Sequence, residues 1–210
     1  MTDKFQTINS TLSPNELGKL IQQKYEVSNN TECSIFRLAM NHLYIVLDGE
    51  DKYVFRVYTH NWRTKLEIEE ELRLLLHLKE ADRQIAYPIA DKSDEYLQEI
   101  EAPEGKRFGV LFSFAKGIKT AKFSAETSFF IGQALAKVHQ STDRFELNRM
   151  TYDTQNLLIN PVLKTKEYYN KNVTEIEFLE KLSSFLAYKA KSIDKRKMRY
   201  GSVHLDVWFD

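Results

Sequence analysis

Asn41-His42-Leu43-Tyr44-Ile45-Val46-Leu47-Asp48-Gly49-Glu50-Asp51-Lys52-Tyr53-Val54-Phe55-Arg56-Val57-Tyr58 reads as two strand-like runs around a turn. Residues 42–47 and 53–58 are rich in Ile, Val, Phe and Tyr, which suit a pleated, half-buried surface. The Asp48-Gly49-Glu50-Asp51 link between them is a tight hairpin signal. Residues 34–38 add a strand upstream, and such short connections require antiparallel neighbours. Side chains alternate along a strand, so Phe55 and Val57 face one side of the sheet and Arg56 the other. Further on, residues 96–101 and 108–114 flank Ala102-Pro103-Glu104-Gly105-Lys106, a turn cluster holding both Pro and Gly. A second hairpin follows, completing a sheet of about five strands. Its last run, Gly109-Val110-Leu111-Phe112-Ser113-Phe114, lacks clean alternation and reads as a central strand buried on both faces.

Helices flank this sheet. Ser13-Pro14-Asn15-Glu16 is a helix start, with Ser as N-cap, Pro in the first turn and Glu completing a capping box. Leu17, Leu20, Ile21 and Tyr25 then form one apolar stripe, which packs the helix onto the following lobe. Residues 63–80 form a second helix, with Ile68, Leu72, Leu75, Leu76 and Leu78 as its buried stripe. Of its early glutamates, Glu71 falls inside that stripe, whereas Glu67, Glu69 and Glu70 read as a solvated acidic face. A carboxylate facing a core needs a cation, and Arg56 on the preceding strand is the candidate. After Phe114 the composition shifts at Ala115-Lys116-Gly117-Ile118, which marks a lobe boundary. Ser124 caps a helix to about His139, with Phe130, Ala134, Leu135 and Val138 inward. Residues 141–173 are polar and irregular, with short helices and a turn at Asn160-Pro161. Thr174-Glu175-Ile176-Glu177 opens a last helix whose inner face is Leu179, Leu182, Phe185 and Leu186. In the closing run 200–210, His204 and Asp206 sit two apart, so an imidazole and a carboxylate are presented together.

Thirty basic and thirty acidic residues cancel, leaving no field to attract nucleic acid or an anionic membrane. No apolar run is long enough to span a bilayer, and residues 1–6 lack the pattern of a signal peptide. The single cysteine, Cys33, precludes an intramolecular disulfide and fits a reducing compartment. The expected location is the cytoplasm.

In their order, these segments resemble the aminoglycoside phosphotransferase/choline kinase family, relatives of the protein kinases, over about residues 33–210. The resemblance implies an α+β, protein-kinase-like fold. An N-terminal helix (1–30) would pack on a nucleotide-binding small lobe (31–114) with a five-stranded antiparallel sheet, followed by part of a helical lobe (115–210). Residues 41–46 resemble the family's entry into strand two, with Asn41 near the nucleotide, and residues 55–58 its strand three, where Arg56 would bind phosphates. Glu71 aligns with the acid that fixes that cation, and the hinge at Phe112 to Phe114 would meet adenine. His204-Leu205-Asp206 resembles the catalytic loop, with Asp206 as base and His204 supporting it, although the family's usual central Gly is here Leu205. The implied activity is transfer of the ATP γ-phosphate to a hydroxyl of a small molecule, with ATP and Mg2+ as cofactors. The family's magnesium-binding Asn would fall at position 211, so the expectation is a chain cut short of its metal ligands, unable to turn over and prone to self-association. The competing expectation is a non-catalytic nucleotide-binding or interaction module with the same shell.

Overall fold

The computed structural model describes residues 5–117, 122–169, 174–194, 197–198 and 200–204. The described residues through Leu147, together with 202–204, form one compact unit, and Asn148–Gly201 form another.

The first unit is built on the predicted antiparallel sheet. Its strands are β1 (Glu32–Leu38), β2 (His42–Asp48), β3 (Asp51–Val57), β4 (Gln98–Ala102) and β5 (Gly105–Ser113), in the spatial order β1-β2-β3-β5-β4. Asp48 lies opposite Asp51, so the loop between β2 and β3 is Gly49-Glu50. Gly49 has φ 62°, the positive value that a two-residue hairpin loop needs at its first position. β5 lies between β3 and β4, and Val110, Leu111 and Phe112 are all buried, as expected for a central strand covered on both faces.

Two helices cover those faces. α1 (Pro14–Lys24) puts Leu17, Ile21 and the following Tyr25 against Tyr44, Val46, Phe55, Val57 and Leu111. α2 (Lys65–Glu80) puts Ile68 and Leu72 against Tyr58, Val110 and Phe112 on the opposite face. Phe55 and Val57 therefore belong to the α1 side and Arg56 to the α2 side, as strand alternation requires. Ser13 caps α1 by accepting from the Glu16 amide, but the Glu16 carboxylate turns to Lys19 instead of closing a box. The complete capping box is on α2, between Thr64 and Glu67. Cys33 is half-buried beside the α1 cluster, and burial pushes its thiol up to about 11, away from reactive thiolate.

α3 (Ala125–Ser141) is capped by Ser124 as expected, but none of its residues is fully buried and Phe130 is exposed. Its C-terminal end is nevertheless held to α2. His77 Nε2 lies 2.7 Å from the Ser141 carbonyl, and the Phe145 ring stacks on His77 while Arg73 lies over it.

In the second unit, a π-helical turn (Gln155–Ile159) runs directly into α4 (Asn160–Tyr168). Asn160-Pro161 is thus not a turn but the junction at which the π-helical turn passes into α4. α5 (Thr174–Ala190) buries Ile176 and Ser183, and the Ser183 hydroxyl donates to the Leu158 carbonyl at 2.9 Å. The predicted inner face is corrected: Leu182, Phe185 and Leu186 are exposed. Helical period marks which side chains share a face, but burial needs a second surface against that face.

Candidate functional site

Arg56 lies on β3 between Leu43 of β2 and Val110 of β5. Its Nη1 donates to Glu71 Oε1 on α2 at 2.9 Å, the partner read from the helix stripe. Both side chains are half-buried, 31% and 24% exposed. The guanidinium carbon sits 4.7 Å from the centre of the buried Phe112 ring and 5.8 Å from that of Tyr58. Arg56 is therefore held by one carboxylate and two aromatic faces, with the rest of its planar donor fork not engaged by Glu71 Oε1.

The other early glutamates of α2 depart from the solvated face expected of them. Glu67 closes the capping box and pairs with Arg63, and the Thr64 amide leads the hydrogen bonds that hold its carboxyl below the usual range. Glu70 is only 13% exposed and meets Arg73 through both oxygens. Glu69 alone of the three is solvated, 49% exposed. The difference lies in the partner: Glu67 and Glu70 are hydrogen-bonded by arginines four and three residues away at 3.2 and 2.8 Å, whereas Glu69 has only Lys65 at 3.9 Å.

Asn41 stands in the β1–β2 turn, and its Oδ1 accepts from the Thr59 amide at 3.4 Å just beyond β3. Thr59 also donates its hydroxyl to the Met40 carbonyl, so the turn is tied to the strand that carries Arg56. Phe112 is opposite Val54 in the ladder and bridged to Pro88 on its other side. Phe114 follows the end of β5, half-buried, with Lys52 Nζ 4.2 Å above its ring. His204 is exposed and stands within the unit that holds the sheet. Asp206 lies outside the described residues. Among the described residues, no group of three His, Cys, Asp or Glu side chains is arranged to hold a metal ion, so they do not by themselves make a divalent-cation site.

Two parts of the site were missed from sequence. Tyr58 shares the face of Arg56 two residues on, a signal that was available from strand period. The other is a buried ion pair behind it. Arg107 and Glu104 have side chains 0% and 1% exposed and lie 3.4 Å apart. Arg107 donates to the carbonyls of Tyr58 at 2.9 Å and Ser10 at 2.8 Å, and Glu104 accepts from the Ser10 amide and hydroxyl at 3.0 and 2.6 Å. Burial pushes the Glu104 carboxyl up, but the Ser10 donors and Arg107 outweigh it and hold it below its ordinary range. His42 nearby is buried, its Nε2 accepting from Asn9 Nδ2 at 3.3 Å while Nδ1 has no hydrogen-bond partner among the described residues. Burial, then the Arg107 charge, lower its pKa, against a smaller opposing effect of Glu104.

Several known proteins are similar to this chain. An uncharacterized protein of Synechocystis is 34% identical over 145 residues, 69% of this chain and 40% of that protein. An uncharacterized protein of Deinococcus radiodurans is 27% identical over 159 residues, 75% of this chain and 46% of that protein. The chain thus spans less than half the length of these curated relatives. Among solved structures, the amicoumacin kinase hAmiN in complex with AMP-PNP, Ca2+ and Ami aligns with a TM-score of 0.72 at 18% identity, over 93% of this chain and 59% of that one. A spectinomycin phosphotransferase in complex with ADP and its antibiotic aligns with a TM-score of 0.61 at 13% identity, over 95% and 64%. A microcompartment-associated aminopropanol kinase aligns at 0.58 with 21% identity, over 70% and 47%. These likenesses establish the kinase-like α+β fold. A sequence model of the phosphotransferase enzyme family (APH) matches residues 38–206, most of the chain, and the protein belongs to that family.

Proposed function

We propose that this chain carries the nucleotide-binding lobe of an ATP-dependent kinase that phosphorylates a hydroxyl of a small molecule. The observation that carries the reading is the Arg56–Glu71 pair at 2.9 Å, an arginine on the third strand fixed by a carboxylate on the helix behind it. A guanidinium held this way offers a planar set of donors to phosphate oxygens. Asn41 would approach the phosphates from the β1–β2 turn, and the backbone after β5 at Phe114 would meet adenine. Phe112 would contribute its ring, since its backbone lies in the ladder. The proposed base is Asp206, which would accept the proton of the acceptor hydroxyl as its oxygen attacks the γ-phosphorus and the bond to the ADP oxygen breaks. His204 would support that loop. A divalent cation, Mg2+ in this proposal, would neutralise phosphate charge when bound. The ligands named for the similar kinases, AMP-PNP, ADP, amicoumacin and spectinomycin, support a nucleotide and a small acceptor.

Calorimetric titration of the chain with ADP tests the nucleotide site. Arg56→Met should weaken ADP about 10- to 100-fold, the range of a lost charge-assisted bond. ATP turnover in the presence of a small hydroxyl acceptor, lost on Asp206→Asn, supports catalysis. ADP binding without any turnover assigns the non-catalytic, nucleotide-binding reading, and no ADP binding rejects the site.

A further inference from the structure

Among the described residues at this site, Tyr58 carries a hydroxyl whose chemistry is unspent. It is 2% exposed, and its hydroxyl is buried with no hydrogen-bond partner among the described residues. A buried unpaired hydroxyl is costly, and native interiors seldom retain one without a use. Its ring flanks the Arg56 guanidinium, and its acidity is set chiefly by burial, then by the charges of Glu71 and Arg56, with weaker hydrogen-bond contributions from both side chains. Glu71 therefore already lies near the reach of the hydroxyl, although no bond of normal geometry is made. The position is enforced from behind. The Tyr58 amide donates to the Phe108 carbonyl at 2.8 Å, and its carbonyl accepts from the buried Arg107 at 2.9 Å. With its backbone fixed and its ring packed among Ile68, Leu72, Val110 and Phe112, Tyr58 does not follow Arg56 when the guanidinium moves.

We propose that Tyr58 is a positioning residue for phosphate binding, its hydroxyl serving as the substitute partner of Glu71 when Arg56 turns to the nucleotide. This inference rests on the nucleotide reading above. In the free protein Arg56 Nη1 occupies Glu71 Oε1, and the Tyr58 hydroxyl waits without a bond. When phosphate oxygens draw the guanidinium, Glu71 loses part of its compensation, and a half-buried carboxylate resists that. The Tyr58 O–H then donates to Glu71 with full geometry, so the bound state gains a well-formed hydrogen bond that the free state has only as a weak approach. No covalent bond changes and no proton leaves Tyr58, whose pKa burial raises well above the ordinary tyrosine range. Phe112 is the second wall of the guanidinium slot, its ring centre 4.7 Å from the guanidinium carbon.

The two states respond oppositely to one variant, which makes the idea testable. Tyr58→Phe removes an unpaired hydroxyl from the free protein and the substitute bond from the complex. Urea melts of the free variant should match or exceed the parent midpoint, while ADP affinity falls about 3- to 10-fold, the worth of one hydrogen bond. Affinity for adenosine, which carries no phosphate, should not change. In an Arg56→Met background, Tyr58→Phe should have no further effect on ADP. A Tyr58→Phe variant with ADP affinity intact, alongside an Arg56→Met variant that loses it, overturns this inference and leaves the nucleotide reading standing. Equal losses for ADP and adenosine, or a lower urea midpoint, assign Tyr58 a packing role and also overturn it. Failure of the parent chain to bind ADP removes the reading beneath it.

Discussion

Glu71 and Glu70 are neighbours on one helix with different duties. Glu71 reaches across to β3 and holds Arg56, so its loss leaves a half-buried guanidinium without its anion. Glu71→Ala should destabilise the protein by about 1–2 kcal/mol, above the usual worth of an exposed ion pair, because Phe112 and Tyr58 shield the cation. Urea melts check the value, and Glu71→Gln should recover part of it through a neutral hydrogen bond. A melt unchanged by Glu71→Ala would contradict the importance given to this pair. Glu70 acts within its own helix, bonding Arg73, which in turn donates to the Glu146 carbonyl. Its removal should therefore loosen the segment around Phe145 and not the Arg56 site.

At the scale of elements, the β4–β5 hairpin depends on one glycine. Gly105 has φ 124°, and a Cβ placed there would lie 2.7 Å from the His60 ring, inside any tolerable contact. That ring is not free to retreat without loss, since its Nδ1 lies 2.9 Å from the Lys106 carbonyl. Gly105→Ala should cost more than about 1 kcal/mol through backbone strain and the displaced ring together. Thermal melts of Gly105→Ala and Gly49→Ala separate the causes, because Gly49 has positive φ but open space around it. The larger loss should be at Gly105, and equal losses would assign the effect to φ alone.

At the scale of the whole molecule, the stretch 9–12 is bound to the sheet unit from end to end. Asn9 meets His42, Ser10 meets Glu104 and Arg107, and the Leu12 carbonyl accepts from Tyr44 at 3.0 Å. Arg107→Met should destabilise by about 3–5 kcal/mol, since it strands a buried carboxylate, and adding Glu104→Gln should recover part of the loss. Proteolysis within residues 5–12 should accelerate in the single variant. The same cluster sets an acid response. His42 has a folded pKa below its ordinary 6.5, so the unfolded chain takes the proton first and stability falls as pH drops below about 6.5. Glu104, depressed below 4.5, adds a second loss at lower pH, as its carboxylate is finally protonated. Urea midpoints should be flat from pH 7 to 8 and decline below that, and His42→Gln should remove the first decline only.

Strand and helix period carried most of the small sheet unit. Alternation placed Arg56 opposite Phe55 and Val57, the Asp48–Asp51 turn set the hairpin, and the α2 stripe turned Glu71 toward Arg56. These were legible because each depends on residues within a few positions of one another, or on two adjacent elements. The Arg107–Glu104–Ser10 cluster was not legible, because it joins residues 97 positions apart whose polar character reads locally as surface. Nor was the exposure of α3 and α5, since an apolar stripe specifies which face will be buried but not what buries it. The sequence by itself determined the elements of the sheet unit, the order of its hairpins and the charged pair between β3 and α2. Only the tertiary structure decided which polar groups lie inside, because burial comes from the sum of distant surfaces closing on a residue.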